Sequence, residues 1–81
     1  MTRKALKKKL CIFLLLQLDE VEDQAIPLND VLWEFNIDEE EDVLILLEEL
    51  ENQDDVLQRD KNTGLIKITN VAGLTDLASK K

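Results

Sequence analysis

The residues able to do chemistry in this chain are almost all carboxylates: eighteen Asp and Glu stand among 81 residues that hold no His, no Tyr, one Cys and one Ser. Without an imidazole, a nucleophile with an adjacent general base cannot be assembled from Cys11 or Ser79. Cys11 lies inside the apolar run LCIFLLLQL, where a low-dielectric surround raises a thiol pKa and blunts it, so a buried, inert thiol in a reducing compartment is expected. Paired carboxylates abound, but a general acid needs a pKa raised by burial, and these acids fall on expected exposed faces or links. Neither a Cys/His cluster nor the spacing of a calcium-binding loop occurs. The run Asp19-Glu20-Val21-Glu22-Asp23 can attract a divalent cation loosely, though it reads more simply as a solvated link. The expectation is a protein that is not an enzyme and has no cofactor and no metal site.

That leaves surfaces. In DEEEDVLILLEELEN, Asp38–Asn52, Asp38 with Glu41 three positions on has the pattern of a reciprocal helix cap, and Glu39, Glu40, Glu41 and Asp42 favour the positive end of the helix dipole. Val43, Leu46, Leu47 and Leu50 recur at helical spacing and form the core stripe. On the opposite face Glu41, Asp42, Glu48, Glu49 and Asn52 surround a single apolar side chain, Ile45. The bases lie elsewhere: Arg3, Lys4, Lys7, Lys8 and Lys9 in an N-terminal arm, and Arg59, Lys61 and Lys67 in a later stretch, with no Lys or Arg from Leu10 to Gln58. With a net charge of −8, such a chain is repelled by nucleic acid and anionic membrane and drawn to basic partners.

Eighty-one residues make one small domain spanning 1–81, with 1–4 and 79–81 expected to fray. Hydrophobic content of 44% with only 4% aromatic implies a folded core of Leu, Ile and Val. MTRKALKKK before LCIFLLLQL imitates a secretory signal, but the run passes straight into acids with no small-residue cleavage site, and nine apolar residues cannot span a bilayer. A cytoplasmic protein with no membrane association is expected.

A first helix is expected over Ala5–Val21, with Leu6, Leu10, Phe13, Leu14 and Val21 on one face. Its other faces are apolar too, so homodimerisation through Cys11, Ile12, Leu15 and Leu18 is an open possibility, along with Leu16. Ala25-Ile26-Pro27 reads as a short strand. Asn29 caps a second helix, Asp30–Phe35, with Trp33 on its outer side, and Asn36 is expected to turn the chain at positive φ. Val56–Arg59 and Leu65–Thr69 form a hairpin around Asp60–Gly64. The tail from Asn70 carries a brief helix over Val71, Leu74 and Leu77, weakened by Gly73.

This order, in IPLNDVLWEFNIDEEEDVLILLEELENQDDVLQRDKNTGLIKIT, resembles the winged helix-turn-helix superfamily over most of the chain. Ile26 and Leu28, the Asn36-Ile37-Asp38 turn, the Leu47/Leu50 pair and the Val56 to Ile68 hairpin carry the resemblance. It implies an α+β fold: a small winged-helix domain, with a three-helix core, a short first strand and a C-terminal β-hairpin wing. It also implies that the third helix is the recognition helix, yet here that helix would present Glu41, Asp42, Ile45, Glu48, Glu49 and Asn52 to phosphate.

The resemblance further implies a class of winged helices that bind proteins in transcription and related assemblies. The expected function is therefore an acidic protein-interaction module or regulator whose partner is basic and partly apolar. Ile45 would be the centre, Glu41, Asp42, Glu48 and Glu49 the rim, and Trp33 an extension. One alternative is weak DNA binding through Arg59, Lys61 and Lys67 on the wing and Arg3, Lys4, Lys7, Lys8 and Lys9 on the arm. Another is an acidic mimic of nucleic acid seated in a basic protein groove.

Overall fold

The computed structural model describes residues 2–18 and 25–79. Four helices enclose one core with a three-stranded antiparallel sheet, so the fold is α+β. The expected fraying of Met1, Lys80 and Lys81 lies outside the described residues, as do Val21 and the acidic run from Asp19 to Asp23.

Helix α1 spans Arg3–Leu18 and begins two residues before the expected start. Thr2 provides the reason: its Oγ1 accepts the Ala5 N–H at 3.2 Å, an amide that the first turn otherwise leaves open, and its carbonyl accepts the Leu6 N–H at 2.9 Å as the first helical bond. Leu6, Leu10, Cys11 and Leu14 are buried. Cys11 therefore belongs to the interior and is not available to a dimer contact. Leu15 and Leu18 are already packed in part against the core, whereas Ile12 (42% exposed) and Leu16 (61% exposed) face outward.

Strand β1, Ala25–Pro27, leads directly into α2, Leu28–Glu34. The expected Asn29 cap is not used. The Leu28 N–H instead donates to the Gly64 carbonyl at 2.9 Å, so the hairpin satisfies this early amide of α2 and the helix starts at Leu28. Asn36 is extended (φ −68, ψ 151) and not at positive φ. Its N–H donates to Glu39 Oε1 at 3.4 Å, and a 3-10 turn, Ile37–Glu39, precedes α3, Glu40–Asn52. Asn36/Glu39 and Asp38/Glu41 offer the same spacing of cap and carboxylate, and the chain takes the earlier one.

Within α3 the stripe Val43, Leu46, Leu47 and Leu50 is buried as expected. Past its end, Asp55 takes the left-handed conformation (φ 52), open to Asp at small cost, and Val56 N–H returns to the Leu50 carbonyl at 3.0 Å. Strands β2, Leu57–Arg59, and β3, Leu65–Ile68, then form the hairpin. The sheet order is β1-β3-β2, with Ile26 opposite Ile66 and Leu57 opposite Ile68. In the loop, the Asp60 carboxylate accepts the Asn62 N–H at 2.9 Å, which holds it below the ordinary carboxylate range, and Gly64 supplies the positive φ of 72.

Helix α4, Val71–Ser79, is a full member of the fold, since its packing on α1 is the most extensive between any two elements. The helix covers the expected Val71, Leu74 and Leu77, with Leu74 and Ala78 buried and Val71 exposed. Gly73 is closely packed: a Cβ would lie 2.8 Å from Asn70 Nδ2 and 3.0 Å from Val56 Cγ1, so a side chain here would shift the Asn70 amide. The same Asn70 caps the helix, its Oδ1 accepting the Gly73 N–H at 3.0 Å.

Candidate interaction surface

Burying one face of α3 leaves the other outside, and the 3.6-residue period decides which side chains stand there. Ile45 is 42% exposed, with Glu41, Glu48 and Asn52 exposed around it. Ile45, Glu48, Glu49, Asn52 and Gln53 line a shallow depression of about 240 Å³. Two of the expected rim acids are engaged within the chain. Asp42 Oδ1 lies 3.2 Å from Arg3 Nη2, and Glu49 Oε2 lies 3.5 Å from Lys7 Nζ, which also reaches Asp54 Oδ2 at 2.9 Å.

This pairing has an electrostatic logic. The bases of α1 crowd the positive end of their own helix dipole, which disfavours them. The carboxylates of α3 and of the turn after it offset that cost, and partial burial of Lys7, which opposes its charge, is outweighed by Asp54 and Glu49, so its ammonium is held above the ordinary lysine range. Lys4 and Lys8 remain exposed, and Lys9 Nζ sits 5.2 Å above the Phe35 ring.

On the hairpin, Arg59 is committed inward. Its backbone N–H donates to Glu51 Oε2 at 2.8 Å, and its Nε and Nη2 donate to Glu51 Oε1 at 3.2 and 3.0 Å. The backbone hydrogen bond foremost, then the guanidinium, holds the Glu51 carboxyl below its usual range. Lys61 and Lys67 stay exposed. Glu51→Ala should cost roughly 1–2 kcal/mol in urea denaturation at neutral pH by cutting the root of the hairpin free of α3. A depressed carboxyl contributes stability above its unfolded pKa and loses it as pH falls through the folded value. The difference between wild type and Glu51→Ala should therefore shrink in acid.

Trp33 is 91% exposed, and Ile37, which sequence reasoning assigned no surface role, is 84% exposed. Both line an open groove of about 700 Å³ at the corner between α2 and the 3-10 turn. That groove shares no lining residue with the depression at Ile45, so the structure places Trp33 with Ile37 and in a different recess from Ile45. The signal for Ile37 was its position outside the α3 stripe, one step of four before Glu41 and two before Ile45.

Among the described residues, no group of three or more His, Cys, Asp or Glu side chains is placed to hold a metal, and no helix is long and apolar enough to cross a membrane. Comparison with protein-family models, curated proteins and solved structures gives no match.

Proposed function

We propose that this chain is a winged helix-turn-helix domain that works as a non-enzymatic protein-interaction module, joining transcription or other nucleic-acid machinery through a basic, partly apolar protein partner. The fold reading is supported by the element order, in which α1, β1, α2 and α3 precede the β2–β3 hairpin, and by the strand order β1-β3-β2. The observation that carries the function is the outward face of α3. Where a DNA-binding member needs positive charge, this one has Ile45 half exposed between Glu41 and Glu48. An apolar centre inside a charged rim is the anatomy of a protein interface.

DNA held by the hairpin and the N-terminal arm is the second reading. The exposed Lys4, Lys8, Lys61 and Lys67 favour it. Against it, Arg3, Lys7 and Arg59 are occupied by Asp42, Asp54 with Glu49, and Glu51. Phosphate contact through the remaining lysines would be weak and steeply dependent on salt.

Ile45→Arg tests the first reading. The substitution should abolish partner binding and leave the circular dichroism spectrum unchanged, because Ile45 lies outside the buried core. Undiminished binding that is indifferent to salt would remove the α3 face from the proposal, whereas undiminished binding that falls sharply with salt would make the face a mimic of nucleic acid. Fluorescence anisotropy of labelled duplex DNA should show no binding at low salt; binding that fades steeply with salt would favour the lysines instead.

A further inference from the structure

The geometry points to a second, separate binding site: the groove at the α2 corner, which accepts a short basic amphipathic segment of another protein, one apolar side chain entering between Trp33 and Ile37. This site stands on different residues from the α3 face and does not depend on it. Helix α2 turns Val31 inward with Leu28 and Leu32 beside it, and that period sends Trp33 to the solvent side. The extended residues Phe35 and Asn36 then swing the chain round, so that Ile37 faces outward as well.

The result is the two most exposed large apolar side chains of the described residues, four positions apart and facing one recess. Leu32 and Phe35 contribute apolar surface to it, and Asn36 and Glu40 contribute polar groups. Its volume of about 700 Å³ falls within the range of about 300–1,000 Å³ usual for ligand pockets. An indole face of this size left in water forgoes a large hydrophobic gain unless something covers it.

Charge selects the occupant. Glu40 lines the groove, Glu34 and Asp38 are exposed beside Trp33 and Ile37 in the chain, and no Lys or Arg is among the lining residues, against the one cation of Lys9 over the Phe35 ring. Nucleic acid and anionic lipid are repelled by this rim. A second copy docking the same face on itself would set these acids against their equivalents. A Lys- or Arg-bearing segment meets them favourably and can lay a cation over the Trp33 ring. Helix-in-groove recognition has this division of labour, with apolar anchors on one side of the segment and polar groups on the other.

Trp33 is the only Trp, so its emission reports this groove alone. The full chain is titrated with a synthetic helix-forming peptide of leucine and lysine, with a scrambled peptide of the same composition, and with a leucine–glutamate counterpart. The amphipathic basic peptide should shift the emission to the blue and saturate at one equivalent, whereas the other two should not. Ile37→Ser, a change at a side chain 84% exposed and outside the core, should weaken binding about tenfold or more. Trp33→Ala, read by anisotropy of a dye-labelled peptide, should do the same, while Ile45→Arg should leave this affinity unchanged. Equal binding of the scrambled peptide, or unaltered affinity in Ile37→Ser, would overturn the proposal. So would a blue shift that develops on concentrating the protein alone, which would make a second copy the occupant.

Discussion

Leu10→Ala is expected to remove about 2–5 kcal/mol of folding stability, the usual cost of emptying a buried leucine site. A chain of this length is worth roughly 4–12 kcal/mol in all, so the variant should lose a large share of its stability and unfold at clearly lower temperature and urea. The large effect follows from where Leu10 stands. It is fully buried at the middle of α1, and α1 packs against α4, α3 and β1 at once. Elements packed on several sides of one helix restrain one another, so a gap left by a fully buried side chain there closes poorly. Equilibrium unfolding in urea, followed by far-ultraviolet circular dichroism, checks this. A loss below about 1 kcal/mol would mean that the layers around α1 collapse freely into the gap. Leu16→Ala, on the same helix but 61% exposed, should cost little, and the contrast separates packing from helix propensity.

The second large effect is expected in alkali. Burial pushes the Cys11 thiol up from its ordinary value of 9.0 to about 11; the neighbouring Lys7 ammonium pulls the other way and the Asp54 carboxylate adds to the rise. The folded protein thus keeps a proton that the unfolded chain releases near pH 9. Stability from this group is complete below pH 9 and is lost as pH rises through the folded value, a change of roughly 2–3 kcal/mol. Lys7 acts in the same direction at higher pH, since its raised pKa makes its pairing with Asp54 and Glu49 a contribution that fades only above the ordinary lysine value of 10.5. Urea midpoints measured from pH 7 to 11 should fall steadily above pH 9. Cys11→Ala starts lower because it loses volume in the core, but its midpoint should stay flat until Lys7 titrates. Parallel slopes for the two proteins would show that the thiol is not the group responsible. The same burial predicts that Cys11 reacts with a thiol reagent only as fast as the chain opens.

The two halves of the charge pattern acquire a meaning in the structure that neither has alone. A basic arm and an acidic helix, read separately, are two candidate binding surfaces. Folded together, Arg3 and Lys7 lie against Asp42, Glu49 and Asp54, and part of each surface becomes internal electrostatics. Of the charges proposed for a binding role, those exposed and outside these ion pairs are Glu41 and Glu48 on α3, Lys4, Lys8 and Lys9 on α1, and Lys61 and Lys67 on the hairpin. The proposed partner contacts and their alternative are reduced accordingly, to fewer residues in more definite places.

Local rules made much of this protein legible before any coordinates. The spacing of Val43, Leu46, Leu47 and Leu50 marked the buried face of α3, because a helix maps sequence period directly onto direction. Pro27 and the loop Asp60–Gly64 marked where the first strand ends and where the hairpin turns, because proline, aspartate and glycine act on the backbone within a few residues. The want of His left the chain no imidazole of its own to activate Cys11 or Ser79. The rest depended on contacts between residues far apart in the chain. The start of α2 under the Gly64 carbonyl, the close approach of Gly73 to Val56, and the pairing of Arg3 with Asp42 across 39 positions were all decided by packing. So was the site at Trp33 and Ile37: periodicity says which side of a helix a residue is on, and only the tertiary arrangement says whether anything covers that side.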